Sequence, residues 1–269
     1  MGLEQALREF VDHVAVSAPA LLLVMFRVAG IFVMAPLLGS ARIPKRVRVM
    51  LVVLIGFSMA GAVRMPVALP ADLATLTIAL GGELFFGIAM GMCLSFVFVA
   101  AQWAGEIMGQ QMGLSLAQSF DPQFGASSSL IGDLQYLLAL LIFMSPLVNG
   151  PAALFRGVHA SFAVLPPLSV GLDASVFALV IQMFTAATML SLQIAAPMLV
   201  TMLIVDVAMG ALSKTMPQMN VMTMGLTVRS LVGMIVLVAG VKITSEVLVG
   251  AVSTNVDAVE AAYSLPPVR

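Results

Sequence analysis

Apolar residues run through this chain in blocks too long and too continuous for the ten-residue alternating strands of a membrane barrel. They cover residues 14–38, 49–63, 73–101, 130–148, 174–212 and 226–252. Backbone in lipid must satisfy its own hydrogen bonds, which leaves helices or a closed barrel. The pattern therefore predicts an all-α, polytopic membrane protein with about six apolar segments. Two of the blocks are over-long. The third runs on, nearly uninterrupted, from residue 73 to 116, which as helix is about 65 Å against a hydrocarbon core of about 30 Å. Either this helix breaks, or much of it packs against other subunits outside the lipid core; the second is preferred, with room for a break near Gln102. The fifth block, 174–212, carries Pro197 inside it and is expected to kink there.

The longest non-greasy interval between two apolar blocks is residues 102–129, QWAGEIMGQQMGLSLAQSFDPQFGASSS. Gly105, Gly109 and Gly113 recur every four residues, followed by Asp121-Pro122 and a Gly/Ser run. That spacing predicts a thin helix that packs closely, then a compliant turn built on Gly125, Ser127, Ser128 and Ser129. Upstream, Gly87, Gly91 and Ser95 form a similar stripe of small residues, which lets another helix approach closely. Glu83 lies four residues before Gly87, on the same face.

Composition supports the membrane reading. Of 269 residues, 61% are apolar and 9% charged, and the mean hydropathy is +1.11; a soluble domain carries about a quarter charged residues. The net charge of −1, from 12 basic and 13 acidic residues, points to no nucleic-acid partner. Arg42, Lys45, Arg46 and Arg48 form the one dense basic cluster. As a short loop it belongs in the cytoplasm by the positive-inside rule, which places both chain ends outside. A cluster of this kind also anchors to lipid headgroups.

The remaining charges are sparse. Arg27 and Glu83 sit inside apolar blocks, and Asp206 lies near the end of one. A charge at the centre of a spanning helix costs about 2.5–3.5 kcal/mol on insertion scales, so each needs a partner or a wet surface. Arg27 and Glu83 are candidates for each other, and Arg27 also suits an interface with another subunit or snorkelling. Met216, Met219, Met222 and Met224 crowd one connection and pack adaptably. The single Cys93 and the isolated His13 and His159 make no metal or disulfide framework. Nucleotide-binding loops and nucleophile elbows are missing too. No catalytic, cofactor-binding or metal-binding residue is expected. From the residues alone, a subunit of a larger membrane assembly fits best, with a secondary transporter as the competing class.

The chain also resembles a known family. FRVAGIFVMAPLLGSARIPKRVRV (26–49), GELFFGIAMG (82–91), AGEIMGQQMGLSLAQSFDP (104–122), FAVLPP (162–167) and PMLVTMLIVDVAMGALSKTMPQMNVMTMG (197–225) are similar, in this order, to the FliR family of flagellar biosynthetic proteins and its counterpart in virulence type III secretion. The resemblance covers roughly residues 15–250. It departs at Leu226-Thr227-Val228-Arg229, where the family often has a Pro-Leu-Lys-like stretch. The IPKRV and PQMNV segments are closer to the flagellar branch.

The resemblance implies a subunit of the flagellar protein export gate, with no enzymatic activity and no cofactor. It implies long helical hairpins, with a P-subunit-like part over about 1–185 followed by a Q-subunit-like part over 186–269. The implied partners are the export-gate P and Q subunits, the B and A export subunits, the lipid membrane and the unfolded flagellar proteins in transit. The implied location is the bacterial inner membrane, at the flagellar basal body. The family's channel plug falls by chain order on residues 106–124, which gives Glu106, Gly109, Gly113, Phe120, Asp121, Pro122 and Phe124 as candidate plug residues. Arg27, Glu83 and Asp206 are candidate intramembrane charges for assembly. Gly87, Gly91 and Gly105 are candidate packing positions, and Arg42, Lys45, Arg46 and Arg48 the candidate cytoplasmic basic loop.

Overall fold

The computed structural model describes residues 21–35, 39, 43–60, 72–114, 129–146, 148–164, 174–216 and 221–264. Among them the regular elements are helices: α1 (Leu21–Met34), then α2 (Lys45–Ala60), α3 (Leu73–Gln111), α4 (Leu130–Met144), α5 (Gly150–Val164), α6 (Ala174–Thr215) and α7 (Val221–Ser264). The stretches Ala74–Gln111, Val180–Thr215 and Thr223–Thr254 are long and apolar enough to cross a membrane, and α1 and α4 are shorter apolar helices. This is the all-α polytopic architecture that the apolar blocks predict.

Local chemistry sets several of the helix ends. The Asp72 carboxylate accepts from the Ala74 N–H and the Thr75 hydroxyl, which opens α3 with an acidic cap. Ser129 caps α4 by accepting from the Gly132 N–H at 3.2 Å, so it fixes a helix start rather than adding compliance to the preceding turn. Asn149 adopts a left-handed φ of 49°, and Pro151 follows at the start of α5. Proline suits a helix's first turn, where its missing N–H has no partner to lose. Asn149-Gly150-Pro151 therefore launches α5.

Two further expectations change. Gln102 lies within unbroken helix, since α3 continues to Gln111. Lys45, Arg46 and Arg48 occupy the beginning of α2 rather than a loop, so the second apolar block opens with charge. α7 continues as helix through Ser264; residues such as Ala251, Ala258 and Glu260 carry good helix propensity. Pro197 lies inside α6, and its carbonyl accepts from the Thr201 hydroxyl at 2.7 Å.

The chain divides into two compact units. The first comprises residues 1–95, 151–182 and 255–269. Its core joins Val24, Val28, Ile31, Phe32 and Ala35 of α1 and the residue after it, Val52 and Met59 of α2, and Val158 and Phe162 of α5. The second comprises residues 96–150 and 183–254. There Phe98 of α3 packs edge-on against Phe143 of α4 with ring centroids 5.4 Å apart, and Phe184 of α6 meets Trp103 in the same way at 5.7 Å. Within this unit α6 and α7 form an antiparallel hairpin. Gly225 faces Met209, Arg229 pairs with Asp206, and Gly233 faces Met202, stepping outward from the connection.

Candidate functional site

Two constellations stand out, one in each unit. In the first unit, Arg27 of α1 and Glu83 of α3 are fully buried. The Arg27 Nε donates to Glu83 Oε2 at 2.6 Å, and Nη1 donates to the Ser161 hydroxyl of α5 at 3.2 Å. The Ser161 hydroxyl in turn donates to the Val158 carbonyl at 2.7 Å. The guanidinium lies over two rings, 4.9 Å from the Phe86 centroid and 4.2 Å from that of Phe162. A planar guanidinium can stack on aromatic faces while its edge donates, which a lysine cannot do. One side chain thus ties three helices together.

The small-residue stripe makes this approach possible. A methyl group at Gly87 would collide with the Arg27 carbonyl oxygen and lie 3.1 Å from the Gly30 Cα. One turn on, a methyl at Gly91 would lie 2.9 Å from the Ile31 carbonyl. The Ser95 hydroxyl then donates to the carbonyls of Met34 and of Gly91. α1 therefore lies backbone to backbone along Gly87, Gly91 and Ser95, which carries Arg27 into reach of Glu83.

The second constellation is the end of α3. Gly105 meets the α4 backbone at Ile131 and Gly132, and a methyl at Gly109 would sit 3.2 Å from the Ser129 hydroxyl. Glu106 is half-buried, with its methylenes beside Gly132. The helix closes when the Gly113 N–H turns back to the Gln110 carbonyl at 3.0 Å. Gly113 has φ +77°, a left-handed conformation that glycine adopts without steric cost. The space a side chain would need there is filled by Leu226 of α7. Met112 is buried against Gly233 of α7 and Met202 of α6. Gln135 of α4 is buried and its amide approaches the Met108 sulfur at 3.9 Å. The end of α3 is thus seated on α4, α6 and α7 by small residues and adaptable thioethers.

Asp206 is placed elsewhere in that unit. It forms an ion pair with Arg229 across the α6–α7 hairpin, with both side chains about two-fifths exposed, at 40% and 41%. Lys45 and Arg46 are exposed and Arg48 half-buried at the start of α2. Phe120, Asp121, Pro122, Phe124 and Arg42 lie outside the described residues, as do Gly125, Ser127 and Ser128. Among the described residues no three His, Cys, Asp or Glu side chains gather as metal ligands would.

Sequence reading did not find Ser161, Phe86, Phe162, Met112, Leu226 or the pairing of Arg229 with Asp206. Phe86 carried a weak signal, three residues after Glu83 on one helix face. Asp206 and Arg229 stand nearly equidistant from the α6–α7 connection, nine residues before Thr215 (215 − 206) and eight after Val221 (229 − 221). That symmetry marks partners in an antiparallel hairpin. Ser161 and Phe162 carried none.

Comparison with known proteins agrees with the geometry of a helical membrane subunit. The family described as "Bacterial export proteins, family 1" matches residues 18–254. Among curated relatives, the flagellar biosynthetic protein FliR of Bacillus subtilis (strain 168) is 31% identical over 226 residues, covering 82% of this chain and 85% of the relative. FliR of Escherichia coli (strain K12) is 28% identical over 80% of this chain and 81% of the relative. The surface presentation of antigens protein SpaR of Shigella flexneri is 24% identical over 80% and 82% respectively.

Proposed function

The chain belongs to the bacterial export proteins, family 1, and from that premise we propose that it is a subunit of the flagellar type III protein export gate. The observation that carries this is the match over residues 18–254, with FliR proteins related along about four-fifths of the chain. The flagellar branch is preferred to its virulence counterpart because identity to the FliR relatives reaches 31% and that to SpaR is 24%.

In this reading the subunit acts by packing and gating rather than by covalent chemistry. It joins the P and Q subunits, with the B and A subunits nearby, in the inner membrane at the flagellar basal body. Unfolded flagellar proteins pass through the channel they enclose. Residues up to about 185 play a P-like part and the rest a Q-like part. The plug spans residues 106–124. Its described beginning, Glu106 to Leu114, supports the reading because Gly105, Gly109 and Gly113 let a thin segment pack without bulk. The exposed apolar side chains of α6 and α7, such as Leu203, Val207, Leu231 and Val238, suit lipid or the flanking subunits.

Deleting residues 110–122 is expected to open the resting channel. The purified complex with its P and Q subunits, placed in a planar bilayer, should then conduct ions continuously where the parent complex is closed. Unchanged conductance in an intact complex would contradict the plug assignment.

A further inference from the structure

The residues of α2 sort cleanly by exposure. Val52, Gly56 and Met59 face the core of the first unit. Val49, Met50, Val53, Leu54 and Phe57 are exposed, at 63%, 63%, 42%, 62% and 71%. At 100° per residue these five make one continuous stripe. Arg46 falls on the same line, since 46, 50, 53 and 57 follow the i, i+4, i+7, i+11 spacing of one helix face. Lys45 flanks it, and both cations are exposed. The helix, KRVRVMLVVLIGFSMA, has no acidic residue.

We infer that this face of α2 seats an anionic phospholipid, its headgroup at Lys45 and Arg46 and an acyl chain along Met50, Val53 and Phe57. The length fits one leaflet. From Arg46 to Phe57 the helix rises about 16 Å, close to half of a hydrocarbon core of about 30 Å. Its 16 residues span about 24 Å, too short to cross. A cationic end at the interface and an uncharged apolar stripe below it match the two ends of a lipid. Two exposed cations without a neighbouring carboxylate on the helix select an anionic headgroup over a zwitterionic one. The inference rests on the chain being embedded in a membrane and not on its being an export-gate subunit.

The test uses the full chain carrying Phe57→Trp, in vesicles of phosphatidylcholine and phosphatidylglycerol in which one lipid or the other has brominated acyl chains. The parent chain supplies the background from Trp103. Brominated phosphatidylglycerol is expected to quench the new tryptophan in preference to brominated phosphatidylcholine, by on the order of fivefold per contributing cation. The preference should collapse toward unity when Lys45→Gln and Arg46→Gln are added, or in molar salt with Phe57→Trp alone. Equal quenching by the two lipids would overturn the inference. So would a preference that survives both substitutions and salt. A tryptophan that neither lipid quenches would also overturn it, because a second copy or another protein would then cover the face.

Discussion

Glu83→Leu is expected to destabilise the folded chain by roughly 3–5 kcal/mol, because it removes the carboxylate paired with a buried guanidinium. Arg27 is fully buried and its Nε donates to Glu83, so the substitution takes away a charge-assisted hydrogen bond in a desolvated place. The contacts to Ser161 and the two phenyl rings do not replace a carboxylate. The double variant Arg27→Met, Glu83→Leu should recover much of the loss, since a buried ion pair replaced by apolar residues is often near neutral. Thermal unfolding in detergent and co-purification with the P subunit report the effect. Co-purification should fall in the single variant more than any proton leak rises. Normal stability and normal co-purification of Glu83→Leu, alongside lost export, would show that the pair serves transport and not assembly.

Gly87→Ala and Gly81→Ala should act in opposite directions although both add one methyl group to α3. At Gly87 the methyl meets the α1 backbone at Arg27 and Gly30. Backbone cannot rotate away as a side chain does, and overpacking of this kind costs about 1–3 kcal/mol. The displacement also pulls Arg27 from Glu83, which adds to the loss. At Gly81 nothing lies within 4 Å, and replacing a helical glycine by alanine stabilises by roughly 0.5–1 kcal/mol. Thermal unfolding of the two variants checks both signs. A neutral Gly87→Ala would mean that α1 does not rest on this stripe.

The legible parts of the architecture were those with a long apolar period or a regular spacing of small residues. Helices α3, α6 and α7 are visible as blocks because no loop composition interrupts them. The stripe Gly87, Gly91, Ser95 announced a close helix contact, and the structure supplies α1 as the neighbour. The charges inside apolar blocks demanded partners by desolvation alone, and Arg27 was the candidate offered to Glu83. Partners separated widely in sequence were harder to see. Ser161 and Phe162 reach Arg27 from α5, whose residues look like an ordinary mixed helix. A helix limit was misjudged where charge was read as a loop. The basic residues Lys45, Arg46 and Arg48 belong to the beginning of α2. The spacing of Gly105 and Gly109 argued for a closely packing helix, and the start of α4 is the neighbour that takes up the space they leave.

At the candidate plug, the spacing of the glycines was readable but its consequence was not. Gly113 ends α3 in a left-handed turn against Leu226, and Met112 locks into Gly233 and Met202. These contacts depend on how α7 and α6 return past α3, which no local pattern encodes. The same holds for the ion pair of Asp206 with Arg229, which needs the hairpin register.

Membership of the flagellar export gate is tested most directly by removing the gene for this chain from the native host and quantifying hook protein inside the cells and in the periplasm and culture medium. Hook protein is expected still to be made but no longer to leave the cytoplasm, and the chain supplied in trans is expected to restore its export. Hook protein exported at the parental level without the chain would contradict that membership.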